Sequence, residues 1–180
     1  LDTVGGGPAE FNAKAQEAAG RILTSTPKKT VIAIETVRQS SLKTPAIILA
    51  CAIPKRGKFE CIVEKVTELG ADEIIPLKTC RTEVHWDNHQ MKQKISRYQT
   101  VAVNAAKQSG RTSVPVISPV IDFDSAIEGF DAKTVVFMPS LTGERKNLLA
   151  AFEVCPSPEK IAFLIGPEGD FTPQEYARAH

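Results

Sequence analysis

The sequence predicts an α/β protein, a mostly parallel sheet with helices on both faces, and three observations carry that reading. From Thr44 onward, apolar strand-like runs alternate repeatedly with segments whose apolar residues recur at helical spacing, which is the pattern of strand–helix–strand units. The 180 residues suit one ordinary domain with a small appendage and exclude two large ones. Apolar residues at 42% and charged residues at 24% fit a globular chain and exclude wholesale disorder. The longest apolar run, Ala46 to Ile53, is far short of the roughly 20 residues that cross a bilayer, so no membrane span is expected.

Taken in order, Leu1 to Pro8 reads as a loop, and its Gly5-Gly6-Gly7 run lacks the Lys-Ser/Thr of a phosphate loop. Residues 11 to 16 alternate as a strand would, while the Ala content through Ala19 favours a helix, and both remain open. Val31 to Arg38 alternates with β-branched residues and predicts a strand. Residues 1 to about 43 therefore form a small, mostly β appendage, and 44 to 180 the main domain. Pro45 to Ile53 predicts a buried strand. Phe59, Ile62, Val63, Val66 and Leu69 then predict a helix that Gly70 ends in the left-handed conformation. Ile74 to Leu77 is the next strand. Asp87-Asn88-His89-Gln90 is a capping box opening a long helix with the stripe Met91, Ile95, Tyr98, Ala102 and Ala105, closed by Gly110. Val114 to Val120 is strand-like, but Pro115 and Pro119 place it at an edge or make it short. Asp122 to Gly129 predicts a short helix, Thr134 to Met138 a strand, Glu144 to Phe152 a helix and Lys160 to Ile165 a strand. No repeat or low-complexity tract interrupts the series.

Net charge is +1, but its distribution is uneven. Residues 81 to 111 carry 6 basic and 2 acidic groups, whereas 112 to 180 carry 5 and 10. The basic block fits a phosphate footprint or a solvated helix face. Cys51, Cys61, Cys80 and Cys155 are widely spaced with no C-x-x-C pair, which suits core thiols in a reducing cytoplasm rather than a disulfide framework. No signal peptide is recognisable, and because position 1 is Leu rather than Met the numbered sequence is expected to be a fragment.

The sharpest local signal is the apolar strand Ile161 to Ile165 running into Gly166-Pro167-Glu168-Gly169-Asp170 and then Thr172-Pro173-Gln174-Glu175. Thr172 is a natural N-cap, Pro173 fits the first helical position, and Glu175 completes a capping box. In α/β sheets ligands bind outside the carboxyl ends of strands, where glycines let the backbone approach a heterocycle or ribose. A tight turn satisfies the same spacing.

Gly166-Pro167-Glu168-Gly169 after an apolar strand, Val63 to Gly70, Ile75-Pro76, and Ala105 to Arg111 occur in one order, and together they resemble the RsmE family. Those enzymes, of the SPOUT class, use S-adenosylmethionine to methylate N3 of a uridine in 16S ribosomal RNA. The likeness covers nearly the whole chain. It implies a PUA-like β-barrel for RNA, represented here by residues 1–43 in part, and a domain over 44–180 with a C-terminal trefoil knot that periodicity alone does not reveal. It implies a cofactor cradle of Leu164, Ile165, Gly166, Glu168 and Gly169, with Met138 from the preceding strand. It also implies a homodimer acting on the small ribosomal subunit in the cytoplasm. Two departures stand out. Asp170 occupies the place where the family usually carries another Gly, so a positive φ there would be strained, less so for Asp than for most residues. The family's knot-closing segment lies past His180, so part of the cofactor pocket is expected to be missing.

Methylating N3 requires removing its proton or stabilising the charge left on the flanking carbonyls. Lys65, Arg81 and Arg111 match basic positions of the family motifs, and Arg111 and Lys65 are the candidate catalytic groups; Lys65, Arg81, Arg97 and Arg111 are the candidate RNA contacts. Lys65 equally reads as an i,i+3 partner of Glu68, and Arg111 as a donor to loop carbonyls. Lys92 and Lys94 join Arg97 as phosphate contacts. Glu168 is either a base or an acceptor of loop N–H groups. His85 and His89 have i,i+4 spacing, but His85 precedes the Asp87 cap and no third ligand accompanies them, so no metal is expected. Trp86 stacks on a base or packs under the helix start. The rival readings are an inactive RNA-binding assembly factor of the same architecture and an unknotted flavodoxin-like nucleotide-binding enzyme.

Overall fold

The computed structural model describes residues 16–39, 45–84, 86–140, 147–153 and 157–179. Two separate sheets are present among them. The first is an antiparallel hairpin of β1 (Gln16–Ser25) and β2 (Thr30–Gln39), joined through a turn in which Thr26 and Lys29 exchange backbone hydrogen bonds. The segment from Gln16 through Ala19, open between strand and helix in the sequence, is strand. Pairing across the hairpin overrides the helix preference of its alanines. The Gly5–Gly7 run, residues 11–15 and Cys155 lie outside the described residues.

The second sheet has the order β5-β4-β3-β8-β7, with β6 also on β4, and every pair in it is parallel. Its strands are β3 (Ala46–Ala52), β4 (Glu73–Lys78), β5 (Val116–Ile117), β6 (Ile121–Asp122), β7 (Thr134–Phe137) and β8 (Lys160–Ile165). The expected strand over Val114 to Val120 is split into β5 and β6, because Pro115 and Pro119 cannot donate to a ladder. The strand expected to reach Met138 ends at Phe137.

Alternation along the strands puts a core on each face. Cys51 and Ile74 face α1 (Phe59–Leu69) and α2 (Asn88–Gln108), where Phe59, Val63, Tyr98 and Ala102 complete one cluster. Ile48, Ala50, Ile75, Leu77, Ala162 and Leu164 face the other way. They pack on Phe123 and Ala126 of α3 (Phe123–Gly129) and on Tyr176 and Ala179 of a C-terminal helix. Helices thus cover both faces, as expected. A further helix, α4 (Leu148–Glu153), starts later than the one expected from Glu144, because Asn147 is not helical and its side chain accepts the Leu149 N–H; residues 144–146 lie outside the described residues, and the C-terminal helix is α5 (Pro173–Ala179).

Helix ends follow their local signals. Asp87 accepts from the Gln90 N–H at 2.8 Å while the Gln90 side chain accepts from the Asp87 N–H at 3.1 Å, the reciprocal capping box. Gly70 ends α1 at φ 91°, and a Cβ there would sit 2.2 Å from the Arg111 guanidinium. Both the left-handed backbone and the close approach require glycine. No described helix is long and apolar enough to cross a membrane.

Candidate functional site

Because the sheet is parallel, the carboxyl ends of β3, β4, β7 and β8 lie on one edge, and the loops leaving them meet there. The Gly166–Phe171 loop after β8 is held by its neighbours on two sides. From the loop after β3, the Lys55 N–H donates to Glu168 Oε1 at 3.2 Å. From the loop after β4, Arg81 Nη1 donates to the carbonyls of Gly169 and Phe171. The Cys80 N–H donates to Glu175 Oε1 at 2.9 Å. Phe171 is the apolar anchor. It is buried against Phe123 at 5.2 Å between ring centroids and packs under Gly166, where a Cβ would press on its ring at 3.1 Å.

Within the loop, the Asp170 N–H bonds the Pro167 carbonyl at 2.8 Å and Asp170 adopts φ 61°. Two contacts stabilise that left-handed conformation: Oδ1 accepts from the Phe171 N–H and from the Tyr176 hydroxyl, each at 2.8 Å. Ser140, from the loop after β7, also hydrogen-bonds Tyr176. Burial chiefly, with Asp170 adding, pushes the Tyr176 phenol above its ordinary range, and the Ser140 bond opposes this. Beside the turn lies a hollow of about 290 Å3 lined by Pro139, Ser140, Gly166, Pro167, Glu168 and Asp170. That is near the small end of ligand pockets.

Glu168 and Glu175 are structural acceptors. Glu168 is held below the usual carboxylate range, first by its own backbone N–H and then by that of Lys55, so it fixes the loop and is a weak base. For Glu175, burial works to raise the pKa, but the N–H groups of Thr172 and Cys80 and the Thr172 hydroxyl more than offset it, and the group ends below its ordinary value. The Thr172–Glu175 capping box forms as predicted, with Thr172 N–H to Glu175 Oε2 at 2.8 Å and Glu175 N–H to Thr172 Oγ1 at 3.2 Å.

Of the expected cradle, Gly166 and Glu168 line the hollow. Gly169 sits in the loop with its carbonyl taken by Arg81. Leu164 is buried in the sheet core, Ile165 is partly exposed at the strand end, and Met138 packs against the core next to the lining residue Pro139. The basic candidates divide. Arg81 reaches the loop, but as a donor to its carbonyls. Lys65 and Arg111 lie at the opposite edge. There the end of α1 leads into Asp72, which exchanges hydrogen bonds with Ile47 at the start of β3. Lys65 pairs with Glu64 at 2.8 Å and Glu68 at 3.1 Å. Arg111 donates to the Glu68 carbonyl at 2.7 and 3.0 Å and closes α1. Arg97 pairs with Glu60 at 2.6 Å, bridging α2 to α1. Within one chain the fold does not bring Lys65, Arg97 and Arg111 to the hollow.

Sequence reasoning missed Pro139 and Ser140, the Tyr176–Asp170 bond and the second role of Glu175. Only the Thr172–Glu175 spacing carried a local signal; the other contacts join loops distant in the chain. No cluster of His, Cys, Asp and Glu suited to a metal occurs among the described residues; His89 is exposed at the start of α2 and His85 lies outside them. Trp86 packs against the α1–α2 core with Lys94 Nζ 5.9 Å from its ring centroid. Burial pushes the Cys51 thiol up to about 12, which makes it inert. A larger groove of about 860 Å3 runs along α2, with Met91, Ile95 and Val103 in its lining and Lys92 and Lys107 beside them. It has no strand-end glycine loop, so the smaller hollow is the candidate site.

A sequence model described as the RNA methyltransferase domain matches residues 40–180. The Bacillus subtilis protein "Ribosomal RNA small subunit methyltransferase E" is 31% identical over 158 residues, 86% of this chain and 62% of that protein, so the chain spans less than two thirds of the relative. A solved Legionella pneumophila protein in complex with the bound cofactor SAM superposes at TM-score 0.75 and 25% identity, covering 92% of this chain and 66% of that one. The Neisseria gonorrhoeae ribosomal RNA small subunit methyltransferase E, bound to S-adenosyl methionine, superposes at TM-score 0.79, covering 92% and 67%. At 24% identity the likeness is one of fold.

Proposed function

The chain belongs to the RNA methyltransferase domain family, and from that premise we propose that it is an S-adenosylmethionine-dependent methyltransferase acting on N3 of a uridine in 16S ribosomal RNA. The observation that carries the reading is the hollow beside the Gly166–Asp170 turn, at the carboxyl edge of a parallel sheet, where such folds bind nucleosides. The residues fit the cofactor. The turn residues Gly166 and Pro167 line the space beside the Ser140 hydroxyl, and the carboxylate residues Glu168 and Asp170 flank it for a cationic centre. Gly166, Pro167, Glu168 and Asp170 would hold it, with Gly169, Leu164, Ile165 and Met138 supporting them.

When bound, S-adenosylmethionine supplies an electrophilic methyl group on a sulfonium. The chain's own residues bind and orient, which can supply several kcal/mol of a displacement barrier. Arg81 fixes the loop from below through two carbonyls. This reading assigns Glu168 to holding the loop, through the Lys55 N–H, rather than to the N3 proton. Lys65 and Arg111, remote from the hollow of their own chain, serve this reading as RNA contacts or as contributors to the site of a second subunit, which is consistent with a homodimer. Lys92, Lys107 and Arg97 extend the basic surface along α2 toward phosphates.

The same reading takes residues 1–43 as part of a PUA-like RNA-binding unit and 44–180 as a SPOUT domain with a trefoil knot. It takes the small ribosomal subunit as substrate and the cytoplasm as location. The separate hairpin sheet supports the division, and the free thiols of Cys51, Cys61 and Cys80 support the compartment. The test is incubation of the protein with labelled S-adenosylmethionine and undermodified small subunits, followed by mapping of the methyl group. N3-methyluridine in 16S RNA is expected. A methyl elsewhere keeps the class and overturns the target, and no methyl with no heat of cofactor binding leaves the RNA-binding assembly factor.

A further inference from the structure

The hollow carries an electrostatic feature that its family resemblance does not account for. Among the described residues its lining includes two carboxylates, Glu168 and Asp170, and no cationic side chain. Among the described residues, two of the nearby cations are committed elsewhere, Lys55 Nζ pairing with Glu83 Oε2 at 2.7 Å and Arg81 turned onto the carbonyls of Gly169 and Phe171, while the charge of Lys58 acts on Glu168. Glu168 is exposed to solvent and accepts the Lys55 N–H on Oε1. Asp170 differs. The Phe171 N–H and the Tyr176 hydroxyl both land on Oδ1, and among the described residues Oδ2 accepts from none. Tyr176 is itself bonded to Ser140, so the Asp170 carboxylate is anchored through one oxygen in a residue that lines the hollow. This arrangement is maintained at a non-glycine residue with φ 61°, a conformation that costs free energy at most side chains.

We propose that Asp170 is a specificity-determining residue that makes the site prefer the sulfonium form of the cofactor over the neutral thioether left after methyl transfer. The inference rests on the reading of the hollow as a cofactor site. The two ligands differ by one methyl and one positive charge. A fixed carboxylate in a partly enclosed space attracts the charged form and gives the neutral product no comparable gain. The consequence is relief of product inhibition: the spent thioether leaves a site still attractive to the next sulfonium.

Calorimetric titration of the whole chain with S-adenosylmethionine and, separately, with S-adenosylhomocysteine tests this, comparing wild type with Asp170→Asn and Asp170→Gly. Asn tolerates the left-handed backbone and keeps an oxygen for Phe171 and Tyr176, so it removes charge alone; Gly removes charge and strain together. In both variants the ratio of sulfonium to thioether affinity is expected to fall about tenfold, the scale of one partly screened charge across several Å, while thioether affinity stays within about twofold. Ratios equal to wild type in variants that still bind both ligands overturn the role of Asp170 and leave the cofactor site standing. A wild-type chain that binds neither ligand overturns the cofactor site and this inference with it.

Discussion

Arg81 shows how a residue with a functional charge can be used for architecture. Its guanidinium donates to two carbonyls of the turn after β8, and its stem passes 3.4 Å from where a Gly169 Cβ would be. Arg81→Met keeps the stem and removes the donors. With a hydrogen bond from a charged donor worth about 1.5–3 kcal/mol, S-adenosylmethionine affinity is expected to fall at least tenfold with a small change in melting temperature, as calorimetry and thermal denaturation would show. Glu175 gives a pH signature. Its folded pKa is depressed, so the stability it contributes is present above the ordinary carboxylate value of about 4.5 and is lost as pH falls through the lower folded value. Glu175→Gln is therefore expected to be less stable than wild type by about 2 kcal/mol at pH 7, with the gap narrowing below about pH 4.5 in urea titrations. The capping half of Glu175 was legible, because Thr172 and Glu175 are three residues apart. Its bond to Cys80, the Arg81 clamp and the Tyr176–Asp170 contact were not, because each joins loops brought together only by the finished sheet.

At the level of elements, α1 and its exit explain why Arg111 follows a glycine-ended helix at such a distance in sequence. Arg111 satisfies the Glu68 carbonyl, an end group that α1 cannot satisfy internally. Gly70 makes room for it. Gly70→Ala forces a side chain into a left-handed backbone and against the guanidinium, and is expected to cost about 2 kcal/mol, read from the urea midpoint at unchanged slope. The helix and its stop were legible from the stripe Phe59 to Leu69 and from Gly70 itself, and so were the strands of the main sheet. The edge was only half legible. Pro115 and Pro119 announced a weakened strand but not its division into β5 and β6, which depends on which residues of β4 remain free to pair.

Across the whole molecule, the hairpin and the parallel sheet form separate ladders, and Ile22, Leu23, Ile32, Ile34 and Val37 of the hairpin are each more than half exposed. An isolated hairpin of this size is marginal alone, whereas the main sheet has a core on both faces. Residues 44–180 are therefore expected to unfold in one cooperative transition within a few degrees of the full chain, checked by calorimetric melting of the deletion variant. A parallel sheet with two covered faces was legible from the alternation of strands and helices; the order of the strands was not, since hydrophobic period says which residues are inside but not which strand lies beside which. That order bears on synthesis. β8 is inserted between β3 and β7, Ile47 pairing with Ile161 and Val135 with that same residue, so during translation β3 waits with one ladder open until β8 has emerged. The strand that seals this gap leads directly into Gly166, and a nascent chain short of it has neither a closed sheet nor the candidate hollow. Formation of that hollow and burial of the exposed ladder are one event.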